Sequence, residues 1–197
     1  MGFTKDFPDD LARGESMHGL VVDILLNKLP KFRLDIVAIQ KAGPLIDSKF
    51  GIDYFLIQRT GLVYSLQEKC LSAKFAHYDT VTIEYMSDRH QGDEGDFFNC
   101  LANLYFVGYG DSSGFKSAYL LYYRGLKAAI NSGKLRPTTK EPINGRGDDA
   151  SSFYAYPMRY VRKYCKECIV WQMEPESGIV GGNTQAIPQL NGSTSEG

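Results

Sequence analysis

Asp53 and the Gln67-Glu68-Lys69 triplet fourteen residues further on place oxygen donors and an ammonium within one short stretch of chain. Carboxylate and amide oxygens suit a hard cation, and a lysine beside them suits an anionic partner, provided all three share one surface. Whether they do depends on the turn between them. Residues 52–58 and 62–71 are rich in Tyr, Phe, Ile, Val and Leu and flank Arg59-Thr60-Gly61, which reads as a strand, a turn and a strand. A two-residue Thr60-Gly61 loop would set Glu68 opposite Asp53. A three-residue Arg59-Thr60-Gly61 loop sets Gln67 opposite Asp53 and Lys69 next along the same face. Gly61 sits where a three-residue hairpin takes a left-handed residue, whereas Thr-Gly is a poor two-residue turn, so the second pairing is expected. A bulge near the site would exchange Gln67 for Glu68.

Two further groups could carry chemistry. Cys165 and Cys168 have the spacing of zinc or iron-sulfur ligands, but such a site takes four ligands and only Cys70 and Cys100 remain. Four scattered cysteines do not suggest a disulfide framework in a chain of this length, so reduced thiols are expected. Residues 158–164, Met-Arg-Tyr-Val-Arg-Lys-Tyr, interleave cations and aromatics. Arg159, Arg162 and Lys163 there could touch phosphates while the tyrosines stack, or the segment could be an amphipathic core edge with its charges in water. The chain carries 22 Lys and Arg against 23 Asp and Glu, so attraction to a polyanion must come from a local patch of this kind.

The elements that must position these groups follow from periodicity. From about residue 7 to Leu29 the apolar residues recur at helical spacing until Pro30, which predicts a first helix. Residues 31–39 alternate as a strand and end at the Gly43-Pro44 turn signal. After the hairpin, residues 80–86 form a β-branched run and predict another strand. Residues 92–109 open with Asp93, Glu94 and Asp96 and place Phe97, Leu101, Leu104 and Tyr105 at helical spacing, which predicts a second long helix. Residues 116–123 read as a strand, 126–130 as a short helix closed by Gly133, and 134–152 as a long surface loop. Residues 153–171 return to the core. The composition of residues 174–197, rich in Gly, Ser, Asn, Thr and Gln without an aromatic, is that of a disordered tail. A single domain over residues 1–172 is expected, with 173–197 as the tail. The fold class is α/β or α+β, with a central mixed sheet of four to five strands flanked by helices.

On these residues the chain resembles the PD-(D/E)XK nuclease superfamily, in which a short sheet presents an acidic residue and then a (D/E)xK or QxK triplet on the next strand. Asp53 and Gln67-Glu68-Lys69 match it, and Glu15 in the first helix matches the helical glutamate of several members. The strand at residues 80–88 and the aromatic run ending in VGYG are also similar to small phage or mobile-element proteins of this type. The resemblance spans roughly residues 7–130 and implies a restriction-endonuclease-like fold and a magnesium-dependent nuclease, with manganese as a substitute cation. Glu15, Asp53 and Gln67 would hold the metal, with Glu68 replacing Gln67 if the register shifts. Lys69 would orient or deprotonate the attacking water and offset charge on the phosphorane. DNA is the implied partner, with RNA left open, a homodimer allowed and no membrane contact. Gln67 departs from the acidic pattern, and a neutral ligand weakens metal affinity. Two rivals therefore stand beside the nuclease: a non-catalytic binding module on the same fold with a decayed site, and a metal protein using the four cysteines. Without a signal-peptide pattern or a run of about 18 apolar residues, the chain is expected to be soluble and cytoplasmic.

Overall fold

The computed structural model describes residues 16–29, 34–88, 90–144 and 151–173. Helix α1 is described from residue 16, with residues 16–23 α-helical and Ile24–Lys28 continuing as a π-helical turn. Its buried residues Met17, Val21, Ile24 and Leu25 recur every three or four positions, as one apolar stripe requires. The N-terminal part of the expected helix, with Glu15, lies outside the described residues. Strand β1 follows at Ile36–Lys41, and Gly43-Pro44 then opens helix α2, Pro44–Phe50, instead of ending in a simple turn. Proline is well placed there, because the first helical position has no hydrogen-bonding use for its missing N–H.

The hairpin consists of β2, Tyr54–Gln58, and β3, Val63–Ser72. Its pairs are Tyr54 with Leu66, Phe55 with Ser65, Leu56 with Tyr64 and Ile57 with Val63, which is the offset a three-residue loop dictates. Gly61 takes the left-handed conformation at φ 84°, as that loop needs. After a 3-10 turn, Ala73–Tyr78, come β4, Thr80–Asp88, the short β5, Asp93–Glu94, and the single-turn α3, Asp96–Asn99.

The expected long helix over residues 92–109 is corrected here. It is replaced by β5, α3 and strand β6, Leu104–Asp111, paired with β7, Gly114–Tyr122. Seven consecutive residues of β6, from Leu104 to Gly110, are buried. A strand covered on both faces shows an apolar run with no alternation, and in a short window such a run can imitate helical spacing. Helix α4, Tyr123–Asn131, is followed by β8, Ile143–Asn144, β9, Ser152–Pro157, α5, Met158–Tyr164, and β10, Ile169–Gln172.

The chain is mixed α/β, but its central sheet is larger than expected and a second sheet accompanies it. Six strands run in the order β1-β2-β3-β6-β7-β10, all neighbours antiparallel except β3 and β6, which are parallel. Four more form a separate sheet in the order β5-β4-β9-β8. One face of the central sheet buries Leu56, Leu66, Leu104, Phe106 and Leu120 against Val21, Ile24 and Leu25 of α1. The other buries Tyr105, Val107, Tyr119 and Leu121 against Val81 and Ile83 of β4, Tyr156 of β9 and Val161 of α5. Tyr105 and Tyr109 donate hydroxyl hydrogen bonds to the carbonyls of Thr82 and Thr80, at 2.9 and 2.7 Å, and so tie the second sheet to the first. Each fully buried leucine contributes about 2 kcal/mol by its removal from water. No described helix is long and apolar enough to cross a membrane.

Candidate functional site

Asp53 stands one residue before β2, at the end of the hairpin opposite its turn. Its backbone is held from both sides, since its N–H donates to the Leu66 carbonyl at 2.9 Å and its carbonyl accepts from Ala42 at 2.8 Å. Helix α2 ends at Gly51, whose φ of 55° and N–H bond to the Asp47 carbonyl turn the chain into β2. A side chain at Gly51 would lie 3.0 Å from Cβ of Cys100 and 3.1 Å from Oε1 of Gln67, so the site is tightly closed at this point.

The Asp53 carboxylate accepts a 2.6 Å hydrogen bond from the backbone N–H of Glu68. Asp47 lies within hydrogen-bonding reach of the same carboxyl. Burial, with the Asp47 and Glu68 carboxylates adding repulsion, pushes the Asp53 carboxyl up to about 7 against the downward pull of the Glu68 N–H. The group therefore changes charge near neutrality. Asp47 carries no signal in the sequence, because the Gly43-Pro44 pair that opens its helix is also a turn signal.

Strand alternation sends Gln67 and Glu68 to opposite faces. Glu68 faces α1, where its carboxylate accepts from His18 Nδ1 at 3.0 Å and from the Cys70 thiol at 3.4 Å, with 9% of its side chain exposed. The His18 ring stacks on Tyr54 with centroids 4.4 Å apart and planes within 9°. Burial and the Glu68 charge push the Cys70 thiol up, and burial with the nearby carboxylates pushes the Tyr54 hydroxyl up to about 12. Gln67 belongs to the other face. Its Oε1 lies 4.0 Å from Cys100 Sγ, and the Cys100 thiol also donates to the Gly51 carbonyl at 3.1 Å. Lys69 follows Gln67 on that face, and its partly buried side chain makes no hydrogen bond or ion pair with any described residue. A second lysine that the sequence did not single out, Lys127 of α4, donates to the Cys100 carbonyl at 2.7 Å and lies over the Tyr123 ring.

The residues expected to act together are thus brought to one end of the hairpin, but on two faces. By the pairing offset Gln67 lies across from Asp53, one step beyond the last paired residues, with Lys69 beside it. Helix α1 meets Glu68 and not Gln67, through His18. Asp53, Asp47 and Gln67 offer hard oxygens of the kind magnesium takes, and a carboxyl that burial, with smaller repulsion from its acidic neighbours, holds near neutrality is a group that a cation would relieve. The fit is partial. Among the described residues the single group of three His, Cys, Asp or Glu ligand atoms lying within 4.8 Å of one another is Cys165, Glu167 and Cys168.

That cysteine pair corrects the expectation of reduced thiols. Cys165 and Cys168 are joined as a disulfide with their Cα atoms 5.5 Å apart, both buried. The 3-10 turn Lys166–Cys168 brings them together, since the Cys168 N–H bonds the Cys165 carbonyl at 2.9 Å. The four sulfurs do not converge, because Cys70 packs on the α1 face of the central sheet and Cys100 on the other.

The three basic residues expected to meet nucleic acid all lie on α5, with different surroundings. Arg162 pairs with Asp79 at 2.9 Å, donates to Gln172 Oε1 at 3.2 Å and lies over the Tyr119 ring. Burial raises the Asp79 carboxyl, but the hydrogen bonds from Arg162 and the Tyr119 hydroxyl outweigh it and hold the group below its ordinary value. Arg159 and Lys163 are exposed, and each lies over the ring of the tyrosine that follows it. No family model, no curated protein and no solved structure matches the chain.

Proposed function

We propose that this chain is a magnesium-dependent nuclease that hydrolyses DNA phosphodiester bonds at the Asp53 end of the β2-β3 hairpin. The observation that carries the reading is the Asp53 carboxyl, poised near pH 7 between Asp47 and the Glu68 N–H, with Gln67 across from it by register. The mixed central sheet supports it as well, since Asp53 and the triplet stand at adjacent strands of one hairpin, as the PD-(D/E)XK resemblance implies.

Asp53, Gln67 and, from its place in the sequence, Glu15 would hold magnesium or manganese, with Asp47 close enough to assist. The cation, when bound, supplies polarisation of the scissile phosphate and a lowered water pKa. Above about pH 7 Asp53 is ionised and able to hold that charge. Lys69 has no described partner to neutralise it, so its ammonium is free to offset negative charge developing on the phosphate. Gln67 orients by its amide oxygen without adding charge. Purified protein with magnesium or manganese is expected to nick plasmid DNA or degrade linear DNA, and Lys69→Ala to abolish this with an unchanged circular dichroism spectrum. Cleavage that survives Lys69→Ala would remove the assignment.

One observation favours a second reading, a non-catalytic binding module on the same fold. The acidic member of the triplet, Glu68, is engaged by His18 and Cys70, which leaves neutral Gln67 on the Lys69 face. In that case calorimetry with manganese shows no binding, with or without Asp53→Asn.

A further inference from the structure

Helix α5 and the segment that follows α4 enclose a cleft of about 370 Å³ lined by Lys134, Arg136, Pro137, Tyr160 and Tyr164. No carboxylate of a described residue lines it. Lys134 and Arg136 are exposed and make no hydrogen bond or ion pair with any described residue. Tyr160 and Tyr164 stand one helical turn apart, 38% and 45% exposed, with ring centroids 6.2 Å apart and planes tilted by 34°. Arg159 lies 5.0 Å from the Tyr160 ring centre and Lys163 4.8 Å from that of Tyr164. Two cations thus line the cleft beside two half-exposed phenol rings, and Arg159 and Lys163 each cover one face of a ring, on a chain whose net charge is −1.

We propose that this cleft binds a segment of single-stranded nucleic acid, with bases stacking on Tyr160 and Tyr164 and phosphates held by Lys134 and Arg136. Two exposed phenol rings a helical turn apart offer to a base the π-face that Arg159 or Lys163 does not cover, and the cations beside them match the phosphates of a strand. The volume lies at the small end of ligand pockets, which run from about 300 to 1,000 Å³, and admits about one nucleotide inside with its neighbours lying across the rim. An acidic peptide would use the cations but would leave the ring faces without a planar partner. Arg162 has no part in this surface, because Asp79 and Gln172 already hold it. The proposal does not rest on the hydrolase reading, since the cleft could hold a strand whether or not Asp53 supports cleavage.

The test uses the full chain in EDTA, so that binding is read without cutting, and follows the fluorescence anisotropy of a labelled dT12 oligonucleotide. Saturable, salt-dependent binding is expected. The Tyr160→Ala/Tyr164→Ala double variant should weaken it by roughly tenfold or more, as loss of base stacking does. Lys134→Ala/Arg136→Ala should reduce the slope of log affinity against log salt by about 1.4, the share of two phosphate contacts on a single strand. Lys116→Ala, an exposed cation on β7, should change neither. The four substituted side chains are exposed, and circular dichroism checks that both double variants stay folded. Absence of dT12 binding, or binding that both double variants leave intact, overturns the proposal. Equal affinity for thymidine monophosphate would assign the cleft to a free nucleotide instead, and displacement by an oligoglutamate as effective as by unlabelled dT12 would assign it to acidic peptides. Either result also overturns it. Plasmid cleavage that depends on Lys69 can stand or fail separately from all of these outcomes.

Discussion

Ionisation of Asp53 should be measurable as a loss of stability on going from acid to neutral pH. In the unfolded chain this carboxyl titrates near its ordinary value of 3.8, and in the folded protein at about 7. Between those values the folded state binds the extra proton, so stability is greatest below about pH 4, falls as pH rises through the window and is level above about 7. At about 1.4 kcal/mol per pH unit the window sets a ceiling of about 4 kcal/mol, and solvent access to this partly buried group reduces that to about 2 kcal/mol. Asp53→Asn keeps the shape and an oxygen for the Glu68 N–H but has no charge to bury. Urea unfolding in EDTA, followed by the fluorescence of Trp171, should show the wild type losing about 2 kcal/mol more than the variant between pH 4 and pH 8. Other carboxylates titrate in both proteins and cancel in the difference. Adding magnesium at pH 8 should restore part of the loss in the wild type alone, because a ligand of the folded state stabilises it by mass action, about 1.4 kcal/mol at a concentration ten times its Kd. Identical pH profiles for the two proteins would show that Asp53 is not held near neutrality and would remove the electrostatic case for a cation there.

Other consequences are simpler to state. Leu56→Ala, at a fully buried position of β2 in the cluster that α1 shares, should cost about 2–5 kcal/mol in urea unfolding, with the loss shared by α1 docking. Gly51→Ala should destabilise by about 1–2 kcal/mol, because it forces a side chain into a left-handed residue and against Cys100, and under the hydrolase reading it should also depress cleavage by displacing Gln67. Arg162→Ala should cost about 1 kcal/mol, as a partly exposed pair with Asp79 would, and leave dT12 affinity within twofold, which anisotropy checks directly.

The hairpin was the most legible part of the chain because its register is decided locally. Once Gly61 is required to be left-handed the loop has three residues, and every pair from Leu56-Tyr64 outward follows. What the sequence hid depends on the rest of the molecule. Phe97, Leu101, Leu104 and Tyr105 fall at helical spacing, and nothing local announces that sheet partners and packing cover both faces of β6. The same blindness hid α2. Gly43-Pro44 is a turn signal and equally a helix start, and the left-handed Gly51 seven residues after Pro44 is the helix stop that completes the second reading. Asp47 is hidden with it, although its charge adds to the burial that holds Asp53 near neutrality. The basic stripe on α5 was visible, but not that Arg162 is bound to Asp79 while Lys134 and Arg136, far away in sequence, line a cleft with its tyrosines.

Consecutive residues on a strand face opposite ways, so Gln67 and Glu68 cannot both stand on the side where Lys69 stands, whatever the turn. A bulge could exchange them, but β2 and β3 are paired without one from Tyr54 to Ile57. Asp53 avoids the choice by bonding the Glu68 backbone N–H, which lies in the plane of the sheet and belongs to neither face. The acidic side chain next to that N–H is then left to α1, where His18 and Cys70 satisfy it, and the amide is left to the side closed by Gly51 and Cys100. The neutral residue in the triplet therefore has a structural reason. On the Lys69 face Asp53 already titrates near pH 7, and a second acid at position 67 would add further repulsion to a carboxyl that burial holds back from ionising. An amide there supplies an oxygen without that penalty, at the cost of weaker attraction for any cation the face holds.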